Sequence, residues 1–445
     1  MIEMADKDLF DIQSNDKVGR YAVAKRNLKA GDTIFLEKPF AYGPKSDTYC
    51  ICLGCFEPID CTVLCTKCSW PVCGPDCENR PCHRDYECEV FSKANVKFQP
   101  VDDPTDVCLQ YECITPLRVL YKKLSEYCWL KKKIQNDGKM RVQSMEAHND
   151  KKERKSNLGI QPTQCRRIFE RAIVAVRAAI DVPKGGELYS SYTYSLWPTL
   201  VRREFFREGK YFDCSCARCC DKTELGTNNS TLKCNKCDNG IILPADPLDD
   251  KCYWNCTHCE FRTNAVAVRK AFAAIQADID AVEYVNGPKG IEERETIYKR
   301  YKSVLHPKNA YMSILRSSLI QLYGKSDGYE IDDLPDILLE RKVELCMQLL
   351  EVLDVIEPGR SRIRGIVLYE LHGPLMALAR HQYQTDTISK EEFKIQLQKA
   401  IDTMGKAVKI LKQEPENLPE GQLGKSAESA YKQLIENFDL LVENA

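Results

Sequence analysis

Hydrophobic positions along this chain keep two different periods, and the change from one to the other divides it. Near the start, short alternating runs, Tyr21 to Ala24 and Thr33-Ile34-Phe35-Leu36, flank Lys29-Ala30-Gly31-Asp32 and close at Pro39, as brief strands around a turn do. The same idiom returns at Ile173-Val174-Ala175-Val176, Val182-Pro183-Lys184-Gly185-Gly186 and Glu187-Leu188-Tyr189. Neither half is long enough to be a domain, so the pattern predicts one β-structure split by an insertion. From Ala265 the period becomes helical. Val268, Phe272, Ile275, Ile279 and Val282 step by four, three, four and three, and Leu339, Val343, Cys346, Leu350 and Leu353 do the same before Pro358-Gly359. Roughly seven helices are expected there, as a bundle or a tetratricopeptide-like stack without a clean repeat. A kink is expected at Gly373-Pro374, where the ring removes a helix donor.

The insertion opens with paired cysteines. Cys52-x2-Cys55, Cys65-x2-Cys68, Cys73-x3-Cys77 and His83-x4-Cys88 supply eight soft ligands in one stretch, enough for two tetrahedral zinc sites. Spacing alone leaves open which ligands share an ion, and Cys50, Cys61 and Cys82 are left over. A helical segment follows, with Leu117, Leu120, Tyr121 and Leu124 at helical spacing, and then a charged run from Lys131-Lys132-Lys133 to Lys155 that reads as a solvated helix or linker. Farther on, Cys234-x2-Cys237 and Cys256-x2-Cys259 read as a four-cysteine ribbon, with Cys252 and His258 as bystanders. Cys214-x-Cys216-x2-Cys219 supplies three thiolates and needs a fourth ligand from elsewhere.

Composition narrows the classes. A chain of 445 residues, 43% hydrophobic, can bury more than one core. Its 64 basic and 65 acidic side chains leave a net charge of -1, which gives no global reason to expect nucleic acid or an anionic membrane as partner. There is no N-terminal apolar signal segment and no run of about 18 apolar residues. Most of the 24 cysteines fall in metal-type pairs, which points to the reducing interior of the cell.

Tyr211-Phe212-Asp213-Cys214-Ser215-Cys216-Ala217-Arg218-Cys219 resembles the post-SET segment of SET and MYND domain (SMYD) lysine methyltransferases. Lys184-Gly185-Gly186-Glu187-Leu188-Tyr189-Ser190-Ser191-Tyr192 resembles the closing SET motif, and Val18-Gly19-Arg20-Tyr21 an opening one. The ribbon and Leu305-His306-Pro307 are similar to the arthropod branch. The resemblance implies an α+β chain: N-terminal SET strands over 1–49, a MYND zinc finger over 50–90, a helical SET insertion over 91–165, the C-terminal SET core over 166–200, post-SET over 201–222, the zinc ribbon over 223–264 and a tetratricopeptide-like helical domain over 265–445. It assigns Cys52, Cys55, Cys73 and Cys77 to one zinc and Cys65, Cys68, His83 and Cys88 to the second, both structural. It implies S-adenosylmethionine as cofactor, lying against a loop at Gly19, Arg20 and Tyr21 and under Phe212, with Tyr192 orienting the lysine amine. Tyr211 stands one position from the family's second tyrosine.

One family motif is missing. The Asn-His-Ser-Cys tetrapeptide, whose asparagine and histidine contact the cofactor and whose cysteine completes the post-SET zinc, does not occur in this chain. Its place is taken by the stretch from Asn157 to Phe169, in which Cys165 is a candidate replacement ligand, as is Cys220. The resemblance therefore implies a protein-lysine methyltransferase acting on histone or other protein lysines but impaired here. The alternatives are a non-catalytic scaffold or transcriptional co-regulator that binds proline-rich peptides, and an unstable shortened isoform. It also implies nucleus and cytoplasm as locations.

Overall fold

The computed structural model describes residues 9–15, 19–37, 39, 41–44, 48–101, 103–125, 174–416 and 418–443. The charged run after Lys131 and the Asn157 to Phe169 stretch, with Cys165, lie outside the described residues. The chain divides into two compact units, residues 1–26, 33–177 and 184–187 in one and 27–32, 178–183 and 188–445 in the other.

In the first unit, strands from either side of the insertion pair with one another. β1 (Phe10–Asn15) runs antiparallel to β2 (Gly19–Ala24), from Phe10 opposite Ala24 to Asn15 opposite Gly19. β3 (Thr33–Glu37) pairs with β4 (Val174–Arg177), Glu37 opposite Val174, with a register irregularity between Thr33 and Phe35. β5 (Glu187–Leu188) joins the far edge of β2. None of these strands could be stable alone, because a lone edge leaves its N–H and C=O groups without partners. The rings of Phe10 and Phe35 meet at 5.7 Å and tie the two sheets together.

The cysteine-rich segment of this unit has its own core. Trp70 stacks on Phe91 at 4.4 Å and meets the edge of Phe98 at 5.5 Å. Tyr111, fully buried, accepts from Ile51 N–H and donates to Ile51 C=O. Helices α1 (Glu89–Ala94) and α2 (Ile114–Ser125) close it. Here the structure departs from the periodicity reading: Leu120 is exposed, while Ile114, Arg118 and Val119 face inward. A guanidinium occupies what the hydrophobic stripe left for an apolar side chain.

The second unit begins with a turn and a sheet. Gly31, at φ 97, allows the Lys29–Asp32 turn, and Asp181 holds it through Lys29 Nζ at 2.7 Å and Ala30 N–H at 2.8 Å. Strands β6 (Leu232–Lys233), β7 (Ile241–Pro244), β8 (Tyr253–Cys256) and β9 (Arg262–Asn264) form a four-stranded antiparallel sheet in sequence order. Leu305, fully buried, bridges to Leu232, and the backbone at His306 and Ala310 donates to Thr231 and Asn229. The Leu305-His306-Pro307 sequence thus clips the ribbon to the helices. Helix α3 (Thr199–Phe205) precedes the sheet.

Seven long helices follow among the described residues: α4 (Ala265–Asp280), α5 (Gly287–Tyr301), α6 (Ala310–Leu322), α7 (Asp336–Ile356), α8 (Arg362–Gln384), α9 (Lys390–Leu411) and α10 (Pro419–Glu443). Val268, Phe272, Ile275, Ile279 and Val282 are all buried, as are Leu339, Cys346, Leu350 and Leu353. Helix α8 runs on through Pro374 rather than breaking at it. There it packs against α7 and α9, and the Glu370 carboxylate is buried between Lys342 and Lys325 one turn before the proline.

Candidate metal centres and the Tyr192 region

Four groups of ligand atoms converge, each with its atoms within 4.8 Å of one another: Cys52, Cys55, Cys73 and Cys77; Cys65, Cys68, His83 and Cys88; Cys234, Cys237, Cys256 and Cys259; and Cys214, Cys216 and Cys219. Zinc–thiolate bonds of about 2.3 Å in a tetrahedron put neighbouring sulfurs about 3.8 Å apart, whereas a disulfide would put them about 2 Å apart. The observed separations are 3.4 Å for Cys55–Cys73, 3.7 Å for Cys65–Cys88, 3.7 Å for Cys234–Cys259 and 3.6 Å for Cys237–Cys256. The sulfurs are spaced to hold a zinc-sized ion, and every described cysteine is a free thiol.

The surrounding backbone favours thiolates. Burial raises the Cys52 thiol, but N–H groups of Cys55, Gly54 and Cys73 directed at its sulfur outweigh that and bring it down. Gly54 N lies 3.3 Å and Cys73 N 3.2 Å from Cys52 Sγ. In the ribbon, desolvation likewise raises the Cys256 thiol, and the N–H groups of Cys259 and His258 reverse it, leaving it at about 6. Gly240 completes the cradle: a Cβ there would strike Cys256 Sγ and sit 2.7 Å from Cys237 Sγ.

The second group is the most enclosed. His83 and Cys88 are five residues apart, which in an α-helix would put them on different faces. The turn Arg84–Cys88 is instead π-helical, and its wider i to i+5 pitch brings both back to one side. His83 Nε2 stands 3.6 Å from Cys68 Sγ, and Nδ1 lies 3.0 Å from Glu87 Oε1. Burial opposes charge on Glu87, but the Arg118 guanidinium holds its carboxyl below the usual carboxylate range. A carboxylate only accepts, so Nδ1 carries the hydrogen and Nε2 is left as a metal donor. Cys82, the competitor for this position, points elsewhere and donates to Gly54 C=O at 3.1 Å.

The three-thiolate group is partly exposed at Cys216 and buried at Cys219. Arg202 donates to Cys219 Sγ at 3.3 Å, and Arg218 fixes the preceding loop through Glu224, Ser195 C=O and Trp197 C=O. Cys220 turns away and donates to Ser215 C=O. Among the described residues no fourth ligand joins it. Beside it, Tyr211 adopts a left-handed φ of 64 that ends the helical stretch and folds Phe212 back onto Phe206, ring centroids 4.8 Å apart. Phe212 meets the edge of Tyr192 at 6.2 Å. Tyr192 and Phe212 are therefore neighbours, and both are exposed. Gly19, Arg20 and Tyr21 belong to the first unit. The resemblance put them in a loop, while the alternating pattern already began a strand at Tyr21; in the structure all three open strand β2, paired with Asn15, Ser14 and Gln13. The bystanders resolve simply: Cys252 packs in the helical core, and only the backbone of His258 reaches a ligand sulfur.

Sequence reading missed Glu87, Arg118, Arg202 and Gly240. The first lay in plain view, one residue before a ligand in an H-x4-C spacing one longer than a helical turn. Arg118 left a weaker signal, a charge on the inward side of a short amphipathic helix.

No family model matches the chain. It is 27% identical over 314 residues to a Drosophila melanogaster protein named SET domain-containing protein SmydA-8, isoform A, covering 56% of this chain and 64% of that one. Against isoform B it is 25% identical over 296 residues, covering 54% and 64%. The chain thus spans less than two thirds of the length of the curated relatives it matches. Among the described residues, no helix is long and apolar enough to cross a membrane.

Proposed function

We propose, on the premise that this chain belongs to the arthropod branch of the SET and MYND domain (SMYD) family, that it is a lysine-methyltransferase framework with impaired catalysis, working chiefly as a zinc-held protein-binding scaffold. The observation that carries this reading is the group at Cys214, Cys216 and Cys219, which no fourth ligand joins among the described residues, in a chain that nowhere contains Asn-His-Ser-Cys. One missing tetrapeptide removes two cofactor contacts and one metal ligand together. A zinc site short of a thiolate binds more weakly and contributes less to folding.

Zinc fills the two finger groups and the ribbon, and these closed sites serve structure. Bound S-adenosylmethionine would supply an electrophilic methyl for transfer to a lysine amine. In that reaction the Tyr192 hydroxyl would orient the amine and Phe212, its neighbour in the second unit, would cover the adenine ring. Exposure of Tyr192 and Phe212 supports weak binding, since methyl transfer depends on a closed, desolvated channel. The partners proposed are proline-rich peptides at the finger and protein surfaces at the helical stack, in nucleus and cytoplasm, with histones as the substrate class of any residual activity.

Calorimetry on the zinc-loaded full chain tests this. No heat is expected with S-adenosylmethionine up to about 1 mM, a free energy weaker than about -4 kcal/mol. A Pro-x-Leu-x-Pro peptide is expected to bind. Micromolar cofactor binding that Tyr192→Phe or Gly19→Ala abolishes would overturn the impaired reading.

A further inference from the structure

Arg118 makes contacts that no role in helix α2 requires. Its Nε donates to Glu87 Oε2 at 2.7 Å and its Nη2 to Glu87 Oε1. Its Nη1 donates to Tyr42 C=O at 2.9 Å, and Nη2 also reaches Leu53 C=O at 3.2 Å. Leu53 lies inside the Cys52-x2-Cys55 knuckle of the first metal group. Glu87 holds His83 of the second. One guanidinium therefore touches both metal sites, and it comes from a helix beyond the last ligand. The planar group also lies over the Phe56 ring, 5.3 Å from its centroid, at the end of the first knuckle.

We propose that Glu87 and Arg118 are the positioning residues of the finger, setting the His83 donor atom and the Cys52-x2-Cys55 knuckle together, so that the metal-binding module extends through helix α2 to Ser125. The physical ground is burial. His83 and Glu87 are 0% exposed and Arg118 2%, so water cannot stand in for any of the three. A bidentate guanidinium–carboxylate pair fixes the orientation of the carboxylate, and the carboxylate fixes the tautomer and plane of the imidazole. Removing one charge strands the other in the interior, whereas removing both leaves only the carbonyls of Tyr42 and Leu53 without their donor and costs less. The inference rests on the reading that metal fills these groups.

The test uses the full chain loaded with cobalt or zinc, with the ribbon site as internal reference. Arg118→Met and Glu87→Ala should each weaken metal retention in the finger against a chromophoric chelator by about 10- to 100-fold, the range seen when partners of ligands are lost, and leave the ribbon ion in place. The double variant Glu87→Gln/Arg118→Met should regain most of the thermal stability lost in the single variants, because no charge is stranded and the oxygen of the introduced amide still accepts from His83, and should fall short of wild type because the Tyr42 and Leu53 carbonyls lose their donor. Its cobalt absorption bands for the first finger site should nevertheless remain shifted, since Leu53 C=O has lost its donor. Wild-type cobalt spectra and wild-type retention in that double variant would reduce the pair to a folding role and overturn the proposal. So would single variants that fold and keep their finger metal unchanged. Wild-type protein that takes no cobalt into the finger would instead overturn the metal reading beneath it.

Discussion

Replacing Gly240 by alanine adds one methyl group at a place where the ribbon has no room. A Cβ built there overlaps Cys256 Sγ, stands 2.7 Å from Cys237 Sγ and 3.3 Å from Cys234 Cβ. Non-bonded heavy atoms settle at about 3.5–4.0 Å, so the Cys237 sulfur must retreat by about 1 Å. Metal–ligand distances tolerate about 0.2 Å, and a displacement five times larger detaches a thiolate. Backbone strain does not contribute, because Gly240 is not among the residues with positive φ. The expected loss is at least about 100-fold in zinc affinity at this site, near 2.7 kcal/mol. Gly209→Ala is the control, since nothing lies within 4 Å of a Cβ there. Zinc retained after competition with a chelator of graded strength, measured on both variants and wild type, reads the effect directly. Equal retention by Gly240→Ala and wild type would mean that the four sulfurs are not metal ligands in this geometry, and the reasoning from their spacing would fail.

Two further outcomes follow from other parts of the molecule. Prolonged chelation should abolish near-ultraviolet signals from Trp70, whose stack on Phe91 and Phe98 depends on the finger, while far-ultraviolet helicity falls only slightly because the later C-terminal helices bury clusters that contain no ribbon residue; loss of helicity in parallel would contradict this. Burial, with Lys233, Lys308 and Arg316 nearby, keeps His306 below its ordinary value of 6.5, and its Nδ1 accepts from Lys308 N–H. The unfolded chain then binds more protons than the folded one below about pH 6.5, so this stabilisation is complete above that pH and is lost as pH falls through it. Denaturant midpoints in zinc-saturated buffer should therefore decline from pH 7 to 5.5, and His306→Asn should flatten the slope; an unchanged slope would remove His306 from the account.

Much of the site was legible because its chemistry is written in spacing. Candidate metal ligands come in pairs separated by two or three residues, since a knuckle of that length turns the chain around one ion; spacing gave the ribbon and the Cys214 groups, the family resemblance divided the eight finger ligands in two, and in the structure the atoms of each group stand together. The helical stripes at Val268 to Val282 and Leu339 to Leu353 were equally visible, because a buried face repeats with the helix. Helix α8 shows where local rules stop: Gly373-Pro374 reads as an interruption, and the helix nevertheless continues through it while packed against α7 and α9.

What the sequence determined by itself was therefore local, namely which residues are candidate ligands, which faces are apolar and where strands can form. Tertiary structure decided the rest. It paired β3 with β4 across the whole insertion, a choice set by which lone edges found one another. It turned Arg118 inward past Leu120, where Glu87 and the carbonyls of Tyr42 and Leu53 supply partners that no local pattern announces. It placed a π turn at Arg84–Cys88, whose wider turn lets the His83 and Cys88 donor atoms stand in one candidate ligand group while Glu87 holds the ring from behind. Hydrogen bonds between residues far apart in the chain leave no period, and no period is what a sequence pattern can read.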